Sequence, residues 1–388
     1  MRLLITTGIF PPDIGGPATF VPRIASALRE RGHAVTVLTL ADRLQAKMPS
    51  SWPYPVLRLP RGMPLPVRLP WASAQIAAAA RRSDAIFANG LFEETAAGAL
   101  LARRRWAAKI VGDGVWERAR NRGWTALDLD SFQATHPARV RLHRLARRLA
   151  LRRATHVVVP SRFLARLVER WGVRLGRIQV IPNAVDPLPP PDRATAKRRL
   201  GLGEVVVLSV GRLVSLKRVD GLIMASVGQP WEVVVVGDGP ERRRLEEMAA
   251  SVGRQVRFTG ALGRAQLEDY YGAADLVVLN SIHEGLPHVA LEAMAAGVPV
   301  IAAAAGGIPE VVMPGRSGVL VPPGDDRALR TAITVLLADA GRRARLVEGG
   351  REMAAHFTWS ALLERLIPLL EGLPARAHEG GAEVAARG

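Results

Sequence analysis

The sequence predicts an α/β protein with two doubly wound parallel-sheet domains that face a central cleft. Short runs of β-branched residues alternate with helical patterns, which is typical of parallel sheets covered by helices. A proline-rich stretch at residues 187–191 interrupts this series, which then starts again. Such a break is typical of a linker between domains, and 388 residues suffice for two domains.

The first half contains five predicted strands, each followed by glycine or polar residues. They are the runs RLLITTG, AVTVLTL, SDAIFAN, WAAKIVGD and ATHVVVPS. A helical pattern around FVPRIASALRERG follows the first run. We expect residues 1–186 to form the first domain.

The second half repeats the pattern. Its predicted strands are EVVVLSVGR, EVVVVGDG, QVRFTG, ADLVVLNS and PVIAAAAGG, and we expect a second domain at residues 187–358. Leucines on one side of HFTWSALLERLIPLLEGL predict a helix at residues 359–372. Residues 373–388 lack an apolar face and are expected to be disordered.

The composition excludes several classes of protein. Hydrophobic residues make up 48% of the chain and aromatic residues 5%, which is typical of buried parallel strands. No apolar run is long enough to span a bilayer, and we expect no signal peptide. The absence of cysteine excludes disulfides and cysteine-bound metals. We therefore expect a cytoplasmic protein.

The net charge of +18 belongs almost entirely to the first half. Residues 1–185 contain 30 Lys and Arg and 11 Asp and Glu, whereas the remaining residues contain 23 and 24. This asymmetry predicts that the first half meets an anionic partner, such as a membrane surface, an acidic acceptor or nucleic acid.

Glycines and cations follow several predicted strands. Gly15 and Gly16 precede a helix, so their amides are placed to approach an anion, although a plain turn explains them equally well. Arg212 and Lys217 follow a strand end and suit a diphosphate, the alternative being two solvated charges. Gly237 lacks the third glycine of a dinucleotide fingerprint and is interpreted as part of a tight turn.

The segment from Ser281 to Ala303 places Glu284 and Glu292 in an otherwise apolar run. Pro287 suits the first turn of a helix, whose free amides attract phosphate. Each carboxylate can accept hydrogen bonds from sugar hydroxyls. The alternatives are a helix-capping Glu284 and a surface Glu292.

EGLPHVALEAMAAGVPVIA resembles the E-x7-E signature of the retaining glycosyltransferases of family 4, which have the GT-B fold. The segments IFPPDIGGPATF, IQVIPNAVD, VGRLVSLKRVDGLI and GRSGVLVPPGD resemble other landmarks of that family in the same order. The resemblance covers about residue 3 to residue 370. It implies transfer of a hexosyl group from a nucleotide-diphosphate sugar to a sugar or lipid-linked hydroxyl, or to a soluble small molecule or polysaccharide.

The resemblance also implies residue roles. Glu292 would bind the ribose hydroxyls and Glu284 the donor sugar, while Arg212 and Lys217 would hold the diphosphate and stabilise its charge. The remaining donor-site residues would be Gly15, Gly16, Gly285, Leu286, Pro287 and His288. Apart from the resemblance, a strand ends at Thr259 and Gly260, and a base could rest on the backbone there. The last helix would cross back onto the first domain. No cofactor and no metal is expected, because cations and a helix N-terminus neutralise the diphosphate.

The acceptor side departs from the family pattern. Many relatives carry a histidine where this chain has Gly112 and Asp113. Asp113 is either an acceptor-orienting catalytic residue or a turn residue before a glycine. Trp116 and Trp124 are expected to bracket a loop at the acceptor mouth. His136 and His143 are expected to be surface or structural residues.

The segment ARVRLHRLARRLALRRATH places three leucines, Leu142, Leu145 and Leu149, on one stripe of a basic helix. Such a helix either lies on an anionic membrane at the inner face of the cell or packs its leucines into the core. The core is favoured for the leucines, because the helix leads directly into a strand.

Two other functions compete with glycosyl transfer. A sugar-nucleotide epimerase can share the GT-B fold, but the E-x7-E run and the Arg212–Lys217 pair argue against it. A nucleic-acid-binding protein is suggested by the charge alone, and the sequence lacks a recognisable binding motif. No nucleic-acid partner is expected.

Overall fold

Two parallel sheets, each covered by helices on both faces, form the frame of the computed structural model. The first sheet has seven strands in the order β3-β2-β1-β4-β5-β6-β7, and the second has six in the order β10-β9-β8-β11-β12-β13. All neighbouring strands pair in parallel. The prediction of two doubly wound α/β domains is confirmed.

The structure describes residues 1–13, 15–42, 52–135, 138–188, 192–254 and 256–374, with only the backbone at residue 139. Three prolines of the expected linker, His136 and residues 375–388 of the expected tail lie outside the described residues. Within the described part, every helix is too short or too polar to cross a bilayer.

The first domain comprises fourteen of the described elements. They are β1 (Arg2–Thr7), α1 (Gly16–Glu30), β2 (Ala34–Ala41), β3 (Val56–Pro60), α2 (Leu65–Arg81), β4 (Ala85–Asn89), α3 (Phe92–Ala102), β5 (Trp106–Lys109), α4 (Gly114–Asn121), α5 (Leu129–Ala134), α6 (Ala138–Leu151), β6 (His156–Val159), α7 (Arg162–Arg170) and β7 (Ile178–Val180).

The second domain and the last helix follow. The elements are α8 (Arg193–Leu200), β8 (Val206–Val210), α9 (Val219–Ser226), β9 (Glu232–Val236), α10 (Arg242–Ser251), β10 (Val256–Gly260), α11 (Arg264–Ala273), β11 (Leu276–Leu279), α12 (His288–Ala295), β12 (Val300–Ala303), β13 (Val319–Val321), α13 (Asp326–Ala338), α14 (Ala340–Ala355) and α15 (Trp359–Glu371).

The ten predicted strands are all present, and the structure adds three. The additional strands β3, β7 and β13 are edge strands of their sheets. Each is only three to five residues long and partly exposed. An edge strand has only one paired neighbour and less burial, so its sequence does not need the β-branched run that marks a central strand.

The chain crosses between the domains twice, and the two crossings touch. The amide of Val185 donates to the carbonyl of Phe357 over 2.8 Å. Just after Phe357, the hydroxyl of Thr358 accepts from the amide of Ala361 over 3.2 Å and begins α15. This helix therefore starts at the crossing and runs on the first domain.

Helix α15 completes the core on one face of the first sheet. Its buried residues Leu362, Leu366, Ile367 and Leu370 pack with side chains of β1 and α1, such as Ile5. Leu373, which the sequence-based boundary assigns to the tail, is also buried in this core. The ordered chain therefore continues past the predicted end of the helix.

Helix α6 faces the opposite way from the prediction. Leu142, Leu145 and Leu149 are 72%, 50% and 53% exposed, so the expectation that they enter the core is wrong. The inward face carries Arg144 and Arg147 instead. Arg144 donates to the backbone carbonyls of Phe132, Gln133 and Thr135, and Arg147 pairs with a buried carboxylate described below.

Candidate functional site

Sheet topology gathers the main site residues. The strand order of the second sheet reverses between β8 and β11, and such a switch point opens a crevice at the carboxyl ends of the strands. Arg212 and Lys217 follow β8, and Glu284 follows β11. Residues that lie more than 60 positions apart in the sequence therefore share one crevice.

Lys217 and Glu284 form an ion pair in this crevice. The ammonium of Lys217 donates to Oε1 of Glu284, and the hydroxyl of Ser281 donates to the same oxygen over 2.9 Å. Both charged side chains are at least three-quarters buried. Among the described residues, no group of three or more His, Asp or Glu is placed to hold a metal ion.

The Glu284 loop is held by hydrogen bonds from both domains. The amide of Gly307 donates to the carbonyl of Glu284 over 2.8 Å. The hydroxyl of Ser161 in the first domain donates to the carbonyl of Gly285 over 2.6 Å. A Cβ on Gly285 would overlap the carbonyl oxygen of Val111, also in the first domain. The loop therefore needs glycine at this position to approach the first domain.

Helix α12 begins directly beside this loop. Pro287 immediately precedes the helix and His288 is its first residue, so the alternative in which Glu284 caps the helix is not what the structure shows. Leu286 is buried. Burial, followed by the charge of Lys109, lowers the pKa of His288 to about 4, so the imidazole is neutral at physiological pH. With His288 neutral, the backbone amides at the start of α12 and the ammonium of Lys217 are positive groups beside the Glu284 loop.

Glu292 lies one turn into α12 and is mostly buried. Its Oε2 accepts a hydrogen bond from the hydroxyl of Tyr271 over 2.8 Å, and its Oε1 lies 3.8 Å from the guanidinium of Arg264. Burial raises the pKa of Glu292, partly opposed by Tyr271 and Arg264. The alternative of a surface Glu292 is therefore excluded. Neither Tyr271 nor Arg264 was predicted, since nothing in their local sequence distinguishes them.

Thr259 and Gly260 end β10 at the far side of the same sheet edge. The carbonyl of Gly260 accepts from the amide of Gly237 over 2.9 Å and from the hydroxyl of Thr259 over 2.9 Å. A Cβ on Gly237 would overlap the carbonyl of Gly211. Gly237 is thus part of a tight structural turn, as predicted.

Gly15 and Gly16 occupy the corresponding position in the first domain. They follow β1, beside the switch point between β1 and β4, and Gly16 starts α1. Ion pairs link helix α1 to the second domain. Arg23 donates to Asp186, and Asp186 lies 3.6 Å from Arg264. These pairs extend from α1 to the Arg264 that accompanies Glu292.

Asp113 is completely buried and acts as a helix cap. Its Oδ1 accepts from the amides of Val115 and Trp116 at 3.0 and 3.1 Å and from the guanidinium of Arg147. Its Oδ2 accepts from Gln133 over 2.8 Å. Both oxygens are engaged by the protein, so the structure favours the turn-residue alternative over a role in orienting the acceptor.

The two tryptophans do not bracket a loop. Trp116 lies within α4, is 1% exposed and donates through Nε1 to the carbonyl of Leu127. Its ring meets that of His283 in the second domain edge-to-face, with centroids 5.0 Å apart. Trp124 is half-buried beneath the guanidinium of Arg122. Trp116 therefore belongs to the contact between the domains.

Glu117 is a site residue that the sequence did not indicate. It follows Trp116 on α4, and its Oε1 lies 2.5 Å from the position that a Cβ on Gly112 would take. Burial and the nearby carboxylates of Asp113 and Glu284 raise its pKa, whereas Lys217 and Arg212 lower it. Glu117, in the first domain, therefore lies within electrostatic range of the Lys217–Glu284 pair. It is one of many charges in a basic segment, so only the fold distinguishes it.

Comparisons with known proteins agree with this architecture. The family model for Glycosyl transferases group 1 matches residues 192–353, and the model for a Glycosyl transferase 4-like domain matches residues 15–184. The D-inositol 3-phosphate glycosyltransferase of Geodermatophilus obscurus is 31% identical over 395 residues, covering 92% of this chain and 84% of the relative. The Xylanimonas cellulosilytica enzyme of the same name is 39% identical over 232 residues, which span only 56% of its own length.

Solved structures share the whole fold. Sucrose-phosphate synthase from Thermosynechococcus elongatus superposes with a TM-score of 0.81 at 27% identity, covering 96% of this chain and 98% of the synthase. Anabaena HepE in complex with UDP-glucose superposes with a TM-score of 0.80 at 25% identity, covering 96% and 100%. The chain therefore belongs to the group 1 glycosyltransferases and has their GT-B fold.

Proposed function

We propose that this glycosyltransferase moves a hexosyl group from a nucleotide-diphosphate sugar to an acceptor hydroxyl, with retention at the anomeric carbon and without a metal ion. The observation that carries the proposal is the Lys217–Glu284 pair at the sheet switch point, next to the N-terminus of α12. A mostly buried cation, an anion-attracting helix end and a carboxylate together suit a diphosphate linked to a sugar.

The donor would lie along the carboxyl edge of the second sheet. Lys217, Arg212 and the amides that begin α12 would hold the diphosphate, and Glu284 would accept from sugar hydroxyls. Glu292, already oriented by Tyr271, would accept from the ribose hydroxyls, and the backbone at Thr259 and Gly260 would contact the base. The complex of HepE with UDP-glucose supports a nucleotide-sugar donor.

Transfer would occur on one face of the sugar. The bond between the anomeric carbon and the diphosphate oxygen breaks while the acceptor oxygen bonds to the same face of that carbon. The departing diphosphate oxygen accepts the proton of the acceptor hydroxyl. Lys217 and Arg212 would stabilise the growing charge on the diphosphate. Removing one such group typically lowers the rate by a factor on the order of 10² or more.

The acceptor would enter from the first domain, where Glu117 lies within electrostatic range of Lys217 and Glu284. A carboxylate at this position can accept a hydrogen bond from a sugar or polyol hydroxyl. A lipid-linked acceptor would bring the enzyme to the inner face of the cell membrane and suits the basic first domain. The names of two relatives mention D-inositol 3-phosphate and sucrose phosphate, which supports the alternative of a soluble acceptor.

The donor is tested first by thermal denaturation with UDP, GDP, ADP and their sugar conjugates in EDTA. A ligand at a hundred times its dissociation constant adds about 2.7 kcal/mol to the free energy of unfolding. We expect one nucleotide class to raise the Tm of the wild type but not of Glu292→Ala. The control is Glu352→Ala, because Glu352 is an exposed residue in a surface ion pair.

Product stereochemistry then tests the mechanism. With the donor identified, NMR of the product's anomeric proton should show the configuration of the donor sugar. Inversion would contradict the same-face mechanism. A Tm that no nucleotide changes, or one that changes equally in Glu292→Ala, would contradict the assigned donor site.

A further inference from the structure

The outward face of α6 carries an apolar stripe that the fold leaves uncovered. We define the α6 leucine stripe as Leu142, Leu145 and Leu149, each at least half exposed. On the neighbouring α3, Leu100 and Leu101 are 60% and 59% exposed. Clusters of exposed apolar residues rimmed by charge typically mark a surface that binds a membrane or a partner.

The orientation of α6 is fixed from the inside. Arg147 neutralises the buried carboxylate of Asp113, and its guanidinium lies 3.6 Å from the centre of the Trp171 ring. Turning the helix to bury the leucines would leave Asp113 buried without its cation, which is strongly unfavourable. The exposure of the leucine stripe is therefore built into the fold.

The surroundings of the stripe are strongly basic. Residues 131–168 contain nine arginines and no Asp or Glu, although two of the nine, Arg144 and Arg147, lie on the inward face of α6. Hydrogen bonds gather further arginines at the end of α6. The amide of Thr155 donates to Trp106 over 2.8 Å, which places the loop after α6 beside the loop after α3. Arg104 donates to the carbonyl of Arg81, which brings in the end of α2.

Six of the exposed arginines at this edge are here called the arginine rim. They are Arg81, Arg82, Arg103, Arg148, Arg152 and Arg153. The arginine rim adds positive charge at the C-terminal end of the leucine stripe, and apolar side chains next to basic ones are the chemistry of an interfacial helix.

We propose that the α6 leucine stripe and the arginine rim dock the first domain onto an anionic phospholipid bilayer. The leucines would enter the boundary between headgroups and acyl chains, and the arginines would contact the lipid phosphates. Nucleic acid would engage the arginines but not the leucines. A second copy of the chain related by a two-fold axis would bring two arginine rims face to face. The proposal goes beyond glycosyl transfer and does not depend on the identity of the donor.

Vesicle flotation tests the proposal with the full-length protein. Vesicles of phosphatidylcholine alone are compared with vesicles that also contain phosphatidylglycerol. We expect binding to the anionic vesicles only, and a partition coefficient lower by about tenfold or more in Leu142→Gln/Leu149→Gln. The matched control is Met224→Gln/Val335→Gln, which replaces two exposed apolar residues of the second domain. It should bind like the wild type.

A second variant separates charge from apolar insertion. Arg148→Gln/Arg152→Gln should lower partitioning by about fivefold per arginine, because each basic residue near an anionic surface contributes about 1 kcal/mol. Both variants should keep the nucleotide-dependent rise in Tm, so that a failure of docking is distinguishable from a failure of the donor site.

Any one of the following results would overturn the docking proposal. The first is a wild type that does not float with anionic vesicles. The second is a leucine variant that partitions like its control. The third is a dimer in sedimentation analysis that the leucine variant abolishes, which would assign the surface to a second copy of the chain. The fourth is retention by DNA that persists in the leucine variant without vesicle binding, which would assign the surface to nucleic acid.

Discussion

Glu117 carries a negative charge in a place that disfavours it. The side chain is largely buried on α4, and burial together with Asp113 and Glu284 raises its pKa. The folded protein therefore binds the carboxyl proton of Glu117 more tightly than the unfolded chain does. As a result, the free energy of unfolding falls as the pH rises from the pKa of Glu117 in the unfolded chain to its pKa in the folded protein. Above that second pKa, the full cost of the buried charge remains.

We expect Glu117→Gln to be more stable than the wild type at neutral pH, since it removes this cost. The advantage should shrink as the pH is lowered below the ordinary pKa of glutamate. The same variant should lower kcat/KM for the acceptor by about tenfold or more, because a hydrogen bond to a charged group contributes about 1.5–3 kcal/mol. Urea denaturation at two pH values and steady-state kinetics measure the two effects.

An exposed glutamate provides the control for this experiment. Glu247 lies on α10 in a surface ion pair, and Glu247→Gln should change neither stability nor kinetics appreciably. If Glu117→Gln is less stable than the wild type at neutral pH, its charge is better compensated than the raised pKa indicates. An unchanged kcat/KM for the acceptor would place the acceptor elsewhere.

At the residue scale, the sequence pointed to Lys217 and Glu284, but neither to the ion pair between them nor to Glu117. Arg212, Lys217, Glu284 and Glu292 were predicted because they follow strands or interrupt an apolar run. The Lys217–Glu284 pair joins residues from two separate loops, which no local pattern encodes. Asp113 illustrates the limit, since a carboxylate before a glycine suits both a helix cap and a catalytic group until its burial is known.

At the element scale, α7 is capped by the other domain. The carboxylate of Glu310 accepts from the amides of Arg162 and Phe163 at 2.8 and 2.6 Å. These amides are among those at a helix N-terminus that have no partner within the helix. Because Glu310 belongs to the second domain, these hydrogen bonds exist only while the domains are together.

We expect Glu310→Ala to open the cleft. Two hydrogen bonds to a carboxylate contribute about 1.5–3 kcal/mol each, so their loss should shift the unliganded protein towards open forms. Small-angle X-ray scattering should show a larger radius of gyration for the variant, and donor binding should reduce it again.

Asp339 is the matched control for this loss of a cap. Its carboxylate accepts from the amide of Arg342 at the start of α14, so the helix and its cap belong to one domain. Asp339→Ala should lower stability by about 1 kcal/mol without changing the radius of gyration. Equal radii for Glu310→Ala and the wild type would show that other contacts keep the cleft closed.

The sequence predicted elements better than their orientation. Periodicity identifies a stripe of leucines on α6, but it does not reveal which side of the helix meets the sheet. That choice follows from Arg147 and its distant partner Asp113. The sequence also indicates a loop from Glu117 to Gly123. In the structure, most of these residues belong to α4, whose Trp116 is buried.

At the scale of the whole molecule, the last helix stabilises the first domain. Leu366 is fully buried among side chains of β1 and α1. We expect Leu366→Ala to lower the free energy of unfolding by about 2–5 kcal/mol. Hydrogen exchange should accelerate in β1 and α1 more than in the second sheet.

Leu329→Ala should give the complementary result. Leu329 is fully buried in α13 and packs on the second sheet, so its replacement should accelerate exchange there and spare β1 and α1. If Leu366→Ala and Leu329→Ala accelerate exchange in the same regions, the two domains unfold as one unit and α15 has no separate effect on the first.

The return of α15 also determines the order in which the protein can be completed during synthesis. The helix that covers β1 and α1 starts at Trp359, roughly 330 residues after α1 ends. At about 5–20 residues per second, ribosomes take on the order of 15–65 s to make that interval. Throughout this time the nascent first domain exposes the apolar surface that α15 later covers. The part of the chain that is made first is thus the last to finish folding, and it is the part that would gain most from a chaperone.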